Sequence, residues 1–149
     1  MSLAQHLERE LKHLDAFIEL LEAEHRSLSQ ADVDGEQLQQ QASDKQAHMA
    51  RLESLETQRR NALKSLSYGD TRRASEQAAI DAGCQPIWQC FLERALHAKQ
   101  LNQRNGILIE ARMTQNHRIL RFLNDTASKS LYGPNGQSRP GSRGISSRA

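Results

Sequence analysis

The chain has little of what builds compact, sheet-rich or disulfide-stapled domains. Aromatic residues make up 4% of its 149 residues, and it has three prolines and two cysteines. Glu, Gln, Lys, Arg, Ala and Leu are abundant instead, which is typical of long amphipathic helices. With so few large side chains the core is thin, and this favours burial by neighbouring helices or by a partner over a compact globule. We predict an all-α protein.

Further absences concern the cellular compartment. Cys84 and Cys90 match neither a redox motif nor a zinc motif. The first ten residues carry charges throughout and lack the apolar core of a signal peptide. No apolar run approaches the length that spans a bilayer. Two lone thiols without an export signal fit a reducing compartment. We therefore expect a cytoplasmic protein with no direct membrane insertion.

Motifs for catalysis or metal binding are incomplete. Glu10-x-x-His13 and Glu22-x-x-His25 have the Glu-x-x-His spacing of di-iron bundles, but both lie on one predicted helix. Di-iron sites need that motif on two helices and inward glutamates from two more. The sequence also lacks a Gly-x-Ser-x-Gly nucleophile elbow and a phosphate-binding glycine loop. We expect no enzyme activity, no metal site and no cofactor.

The distribution of charge argues against nucleic acid as a partner. The net charge is +2, and the last part of the chain carries Lys129, Arg139, Arg143 and Arg148 without any acidic residue. A nucleic-acid-binding domain concentrates Lys and Arg on its folded part. Tyr132 is the one aromatic residue near this basic end, whereas stacking on bases needs more. A nucleic-acid adaptor that uses the basic end is kept as a third hypothesis.

Hydrophobic periodicity predicts three long helices and one short one. The first runs from Ser2 to Ser29 and the second from Gly35 to Ser67, with Asp34 as its N-cap. The second seam is the more polar, since Lys45 and Arg59 alternate with its leucines. The seam of the first helix repeats a leucine every seventh residue: Leu7, Leu14, Leu21 and Leu28.

A short helix is predicted from Thr71 to Ala82, with Gly83 as its stop. The last long helix begins at Gln85-Pro86 and ends near Asn124-Asp125. The architecture that we expect is an elongated antiparallel helical bundle over residues 1–125. We expect residues 126–149 to form a flexible basic tail that is disordered in the free protein.

The last long helix changes character from Leu101 onward. A seam at steps of three and four would carry Leu or Ile throughout in a folded core. Here asparagines and an arginine interrupt it, which suits a helix that recognises another helix selectively. The alternative is that buried asparagines fix the register of the bundle itself, and the two hypotheses stay about even. The candidate binding residues are Leu101, Asn102, Asn105, Leu108, Ile109, Arg112, Asn116, Ile119 and Leu123.

Two segments carry a resemblance to a known family. Leu101-Asn-Gln-Arg-Asn-Gly-Ile-Leu-Ile-Glu110 and Leu131-Tyr-Gly-Pro-Asn-Gly-Gln137 resemble the flagella synthesis protein family FlgN. The resemblance implies a cytoplasmic export chaperone for the hook-associated proteins of the hook–filament junction. Such a chaperone holds the C-terminal amphipathic helix of its client and prevents premature assembly. It then escorts the client to the flagellar type III export gate.

The resemblance also implies a second contact. The family places binding to the cytoplasmic domain of the export gate in the C-terminal part, which corresponds here to Leu131, Tyr132 and Gly133. We expect a monomer or a weak homodimer. The alternative function is a structural coiled-coil protein that self-associates through the seam after Leu101 and has no client.

Overall fold

The computed structural model describes residues 1–132, with side chains as far as residue 126. Within that range it contains no strand and no helix long and apolar enough to cross a membrane. The prediction of an all-α protein with three long helices and one short one is confirmed. The helices are α1 (Leu3–Leu28), α2 (Gly35–Ser65), α3 (Arg72–Asp81) and α4 (Gln85–Tyr132).

The helix ends are fixed by local hydrogen bonds. The hydroxyl of Ser2 accepts from the backbone N–H of Gln5, whose side chain accepts from the backbone N–H of Ser2. This reciprocal pair is a capping box. Asp34 Oδ1 accepts from two backbone N–H groups at 3.0 and 3.2 Å, so the predicted N-cap of α2 is confirmed. Thr71 caps α3 in the same way. Gly83, with φ at +70°, follows α3 in the left-handed conformation that glycine adopts without strain.

The predicted end of α4 was wrong. The helix continues beyond Asp125 as far as Tyr132. Thr126 is accommodated inside it, because its hydroxyl donates to the carbonyl of Phe122 at 2.9 Å. The chain from Thr126 to Tyr132 contains neither glycine nor proline, and the first such residue is Gly133. Gly133 and the rest of the predicted flexible tail lie outside the described residues.

Two ion pairs define how α1 and α2 lie together. Glu10 of α1 pairs with Arg59 of α2 at 2.7 Å, and Glu24 pairs with Lys45 at 3.1 Å. From the first pair to the second, the residue number on α1 rises from 10 to 24 while that on α2 falls from 59 to 45. The two helices are therefore antiparallel, as predicted.

The first part of α4 runs in the same direction as α1. Asp15 of α1 pairs with Arg94, and the carbonyl of Leu21 accepts from Asn105. Position numbers rise together along both helices. Consecutive long helices therefore alternate in direction, which confirms the predicted topology.

The predicted leucine seam of α1 is the centre of the core, and all four of its leucines are buried. Phe91 of α4 packs against both apolar clusters that form around the seam. One cluster comprises Leu14, Phe17, Leu21, Ala98 and Leu101, and the other comprises Leu7, Ala79, Cys84 and Trp88. The backbone contacts divide the chain into two units, Met1–Ile107 and a second beginning at Leu108. Both clusters belong to the first unit.

Candidate functional site

Arg59 is the centre of a buried polar network in the first unit. Its side chain is 6% exposed, and its partner Glu10 is 1% exposed. Arg59 Nη1 donates to the hydroxyl of Ser75 at 3.0 Å. The guanidinium also lies 5.1 Å from the ring centroid of Trp88 and 5.7 Å from that of Phe91, within range of a cation–π contact. Residues of all four helices thus meet at one cation, which indicates a structural role.

Two of the side chains that suggested metal or thiol chemistry take part in the packing of the first unit. Glu10 of the Glu10-x-x-His13 motif is the partner of Arg59. Within residues 1–132, no group of three or more His, Cys, Asp or Glu side chains is placed to hold a metal ion. Burial raises the pKa of the Cys84 thiol, so this side chain stays protonated near neutral pH as part of the Trp88 cluster.

A second buried network contains Asn105, one of the candidate binding residues. Asn105 is 0% exposed. Its Nδ2 donates to the carbonyl of Leu21 at 2.8 Å and to Glu24 Oε1 at 2.9 Å, and its Oδ1 accepts from Arg104. Lys45 completes the network from α2. The amide of Asn105 is fully used inside the bundle, so the register-fixing hypothesis applies to this residue.

Two of the candidate binding residues lie inside the bundle, and their predicted place on a binding surface was wrong. Leu101 is buried in the Phe17 cluster, and Asn105 is buried beside Glu24. Neither side chain presents surface to a partner, because apolar packing covers the first and satisfied hydrogen bonds hold the second. Of the other candidates, Asn102, Leu108, Ile109 and Arg112 are half-buried, whereas Asn116, Ile119 and Leu123 are exposed.

The second unit presents an apolar helix face. Between Leu108 and Asp125, five large apolar side chains are 49–68% exposed. At about 100° per residue they lie with Leu108 and Ile109 on roughly half of the helix circumference. We call this surface the distal face: Leu108, Ile109, Met113, Ile119, Leu120, Phe122 and Leu123.

The polar residues of this segment are divided unequally between the two halves. Three of them, Arg112, Gln115 and Asn116, lie among the residues of the distal face. Apart from Ala111, the opposite half is polar and comprises Glu110, Thr114, His117, Arg118, Arg121, Asn124 and Asp125. The segment is therefore an amphipathic helix whose apolar half carries a few hydrogen-bonding positions, which suits selective binding of another helix.

Three residues of the distal face, Met113, Leu120 and Phe122, were not among the candidate binding residues predicted from the sequence. The predicted seam followed one row of side chains, from Ile109 through Arg112 to Asn116. It did not include the neighbouring row of the same helix, which contains Met113 and Leu120. Spacing could have found them, since Ile109, Met113, Leu120 and Leu123 follow steps of three, four and seven.

Known proteins match this chain over most of its length. The model of the family described as FlgN protein matches residues 1–140. The chain belongs to the FlgN family. The flagella synthesis protein FlgN of Salmonella typhimurium strain LT2 is 33% identical over 125 residues, covering 84% of this chain and 81% of that relative. FlgN of Proteus mirabilis is 28% identical over 145 residues, covering 92% and 90%. No solved structure matches the chain.

FlgN of Escherichia coli strain K12 is also similar, at 28% identity over 125 residues. The resemblance inferred from the two sequence segments is thus confirmed, and the family match reaches beyond Tyr132 to residue 140. Membership in the FlgN family supports involvement in flagella synthesis. The names of the family and of these relatives state no catalytic activity.

A substitution at Asn105 tests its place in the bundle. We expect Asn105→Ala to lower the free energy of unfolding by about 1–3 kcal/mol, because Glu24 loses a hydrogen-bond donor where water cannot replace it. Urea titration followed by circular dichroism measures this. The half-buried Asn102 provides the matched control, and Asn102→Ala should change stability by about 0.5 kcal/mol or less. Equal losses in both variants would contradict the internal role of Asn105.

Proposed function

We propose that this FlgN-family protein is a cytoplasmic export chaperone for flagellar hook-associated proteins. In this proposal it binds the C-terminal amphipathic helix of the client, prevents premature assembly and escorts the client to the type III export gate. The observation that carries the proposal is the distal face, where five large apolar side chains lie exposed on one half of an amphipathic helix. Exposed apolar surface of this kind is typical of protein-binding sites.

The chemistry of the distal face fits a holding function. A client helix that packs into a polymer has an apolar stripe that is exposed before assembly. Binding this stripe removes an aggregation hazard by mass action alone, without chemistry or nucleotide hydrolysis. Asn116 adds selectivity, because a partner with an apolar group at that position would bury its amide without hydrogen bonds.

The direct test is co-purification of the chain with each hook-associated protein, full-length and without its last helix. We expect full-length clients to be retained and the truncated ones to be lost. Retention of the truncated proteins would show that their last helix is not the bound segment. Failure to retain any hook-associated protein would refute the proposed client class.

The distal face also fits the alternative function of self-association, since two such faces could cover each other. Sedimentation of the free protein distinguishes the two functions. A stable oligomer that disperses when the distal face is mutated would favour the structural protein. A monomer that binds a client would favour the chaperone.

Contact with the export gate is the second part of the proposal. Leu131 and Tyr132 are the last two residues of α4, and the candidate Gly133 follows them outside the described residues. We expect Tyr132→Ala to weaken binding to the cytoplasmic domain of the gate by about tenfold, the loss of one buried aromatic contact, and to leave client binding unchanged. Pull-downs with each partner separately measure this. Equal loss of both interactions would refute a separate gate contact.

A further inference from the structure

The contact between α1 and α2 brings charges of the same sign together near His13. Phe17 of α1 and His48 of α2 lie side by side, with their ring centroids 6.5 Å apart. His13 is one helical turn before Phe17, and Arg51 is about one turn after His48. Because the two helices are antiparallel, these two turns face each other. His13 is therefore placed beside His48 and Arg51.

Contacts on both sides of His13 fix this register. His6 Nε2 lies 2.9 Å from the carbonyl oxygen of Leu55. Further along α1, Glu24 pairs with Lys45 at 3.1 Å. His13 lies between these two contacts on α1, so its neighbours on α2 come from the turns between the two partner positions. His48 and Arg51 both belong to those turns.

The charged groups that face His13 from the two helices are all basic. Arg9 and Lys12 come from α1, and His48 and Arg51 come from α2. The three permanent cations are exposed, and the two histidines are half-buried. Within residues 1–126, none of the five side chains has an ion-pair partner. We call this group the α1–α2 basic cluster: Arg9, Lys12, His13, His48 and Arg51.

The nearby acidic side chains have other partners. Glu10 and Asp15, the acids nearest to His13 along α1, pair with arginines of α2 and α4. Asp44, one turn before the basic cluster on α2, accepts a hydrogen bond from the side chain of Gln40 at 2.9 Å. Elsewhere the two helices join opposite charges, whereas the basic cluster joins like charges. A positive charge on His13 therefore destabilises the contact.

The protonation of His13 follows from these surroundings. Burial lowers the pKa of His13 from its ordinary value of 6.5, and the neighbouring Arg51, His48, Lys12 and Arg9 lower the pKa further. As the pH falls, the unfolded chain consequently takes up this proton before the folded chain does. The contribution of neutral His13 to stability is complete above about pH 6.5 and is lost as the pH falls through its lower pKa in the folded protein.

We propose that proton uptake by His13 loosens the α1–α2 contact, so that the middle of this contact is an acid-sensitive switch. Neutral His13 is half-buried between the two helices. Charged His13 stands against Arg51 with no acid to offset the repulsion. The ion pairs Glu10–Arg59 and Glu24–Lys45 hold α2 on either side, so the loosening is confined to the turns between them. The switch is a property of the first unit and needs no client.

The test is urea unfolding of the full chain, followed by circular dichroism at pH 7.5 and pH 5.5. His13→Gln keeps a polar side chain that cannot take up the proton. We expect acidification to raise the unfolding equilibrium constant of the unmodified chain about fivefold more than that of His13→Gln. Several like-charged neighbours would each contribute about a factor of two at such a surface. The matched control is His97→Gln, an exposed histidine of α4 outside the basic cluster, which should keep the full pH dependence.

Reversing the charge of Arg51 separates the switch from a merely structural role. Arg51→Glu places a carboxylate beside His13, so a positive charge on His13 becomes favourable. We expect the part of the acid sensitivity that depends on His13 to disappear or to change sign in this variant. An effect of Arg51→Glu that is equal at the two pH values would overturn the proposal. So would the same pH dependence in the unmodified chain, His13→Gln and His97→Gln.

Discussion

Arg59→Ala is expected to lower the free energy of unfolding by about 3–5 kcal/mol, the usual effect of removing one partner of a buried ion pair. Glu10, which is 1% exposed in the unmodified chain, would lose its arginine partner and keep only His6, at 3.2 Å, beside its carboxylate. The hydroxyl of Ser75 would lose its donor, and Trp88 would lose the cation over its ring. Urea unfolding followed by circular dichroism measures the loss.

The neighbouring Arg60 provides the control. It pairs with Glu56 at 3.3 Å, but the two side chains are 51% and 48% exposed. Solvent screens such a pair, so Arg60→Ala should cost about 0.5 kcal/mol or less. The double substitution Glu10→Leu with Arg59→Met should recover much of the stability, because it removes both buried charges and keeps the volume filled. Similar losses at positions 59 and 60 would contradict the account of Arg59.

The charged network could have been predicted from the sequence. Glu10 and Glu24 are two heptads apart on α1, and Lys45 and Arg59 are two heptads apart on α2. Two acids and two bases with equal spacing on consecutive helices align when the helices are antiparallel. From the sequence, Lys45 and Arg59 were interpreted only as making the seam of the second helix more polar. Their long apolar stems and paired ends instead let them occupy seam positions.

Periodicity alone did not resolve the asparagines. The pattern after Leu101 places Asn105 and Asn116 on similar sides of one helix, yet the first is buried and the second exposed. What separates them is whether an acceptor faces the amide. Asn105 meets Glu24, near the end of α1 at Leu28. Which residues of a seam meet a neighbouring helix depends on tertiary contacts that a single-helix pattern does not contain.

The end of α4 was missed for a different reason. The segment from Thr126 to Ser130 is rich in Ser and Thr, which compete with helix formation through their side chains. Such residues weaken a helix but do not stop it, whereas glycine and proline do. Leu131 and Tyr132 consequently belong to the end of α4, whereas the sequence had placed them in the flexible tail that begins at residue 126.

Ile119→Asp combined with Leu123→Asp is expected to weaken client binding more than about a hundredfold. Each isoleucine or leucine buried by a partner contributes about 1.5–3 kcal/mol, and each new carboxylate would enter the interface without a partner. Both side chains are about half exposed in the free protein. The helix content and unfolding midpoint should therefore stay close to those of the unmodified chain. Calorimetric titration with the client measures binding, and circular dichroism monitors the fold.

The polar half of the same helix offers a control with the same added charge. Thr114→Asp combined with Asn124→Asp also introduces two carboxylates between Leu108 and Asp125, at exposed positions outside the distal face. A general effect of negative charge or of weaker helix formation would reduce binding in both double variants. An effect confined to Ile119 and Leu123 would mean that the client lies against the distal face. If both double variants bind normally, the client contacts some other surface, and the exposed apolar residues of α4 need a different explanation.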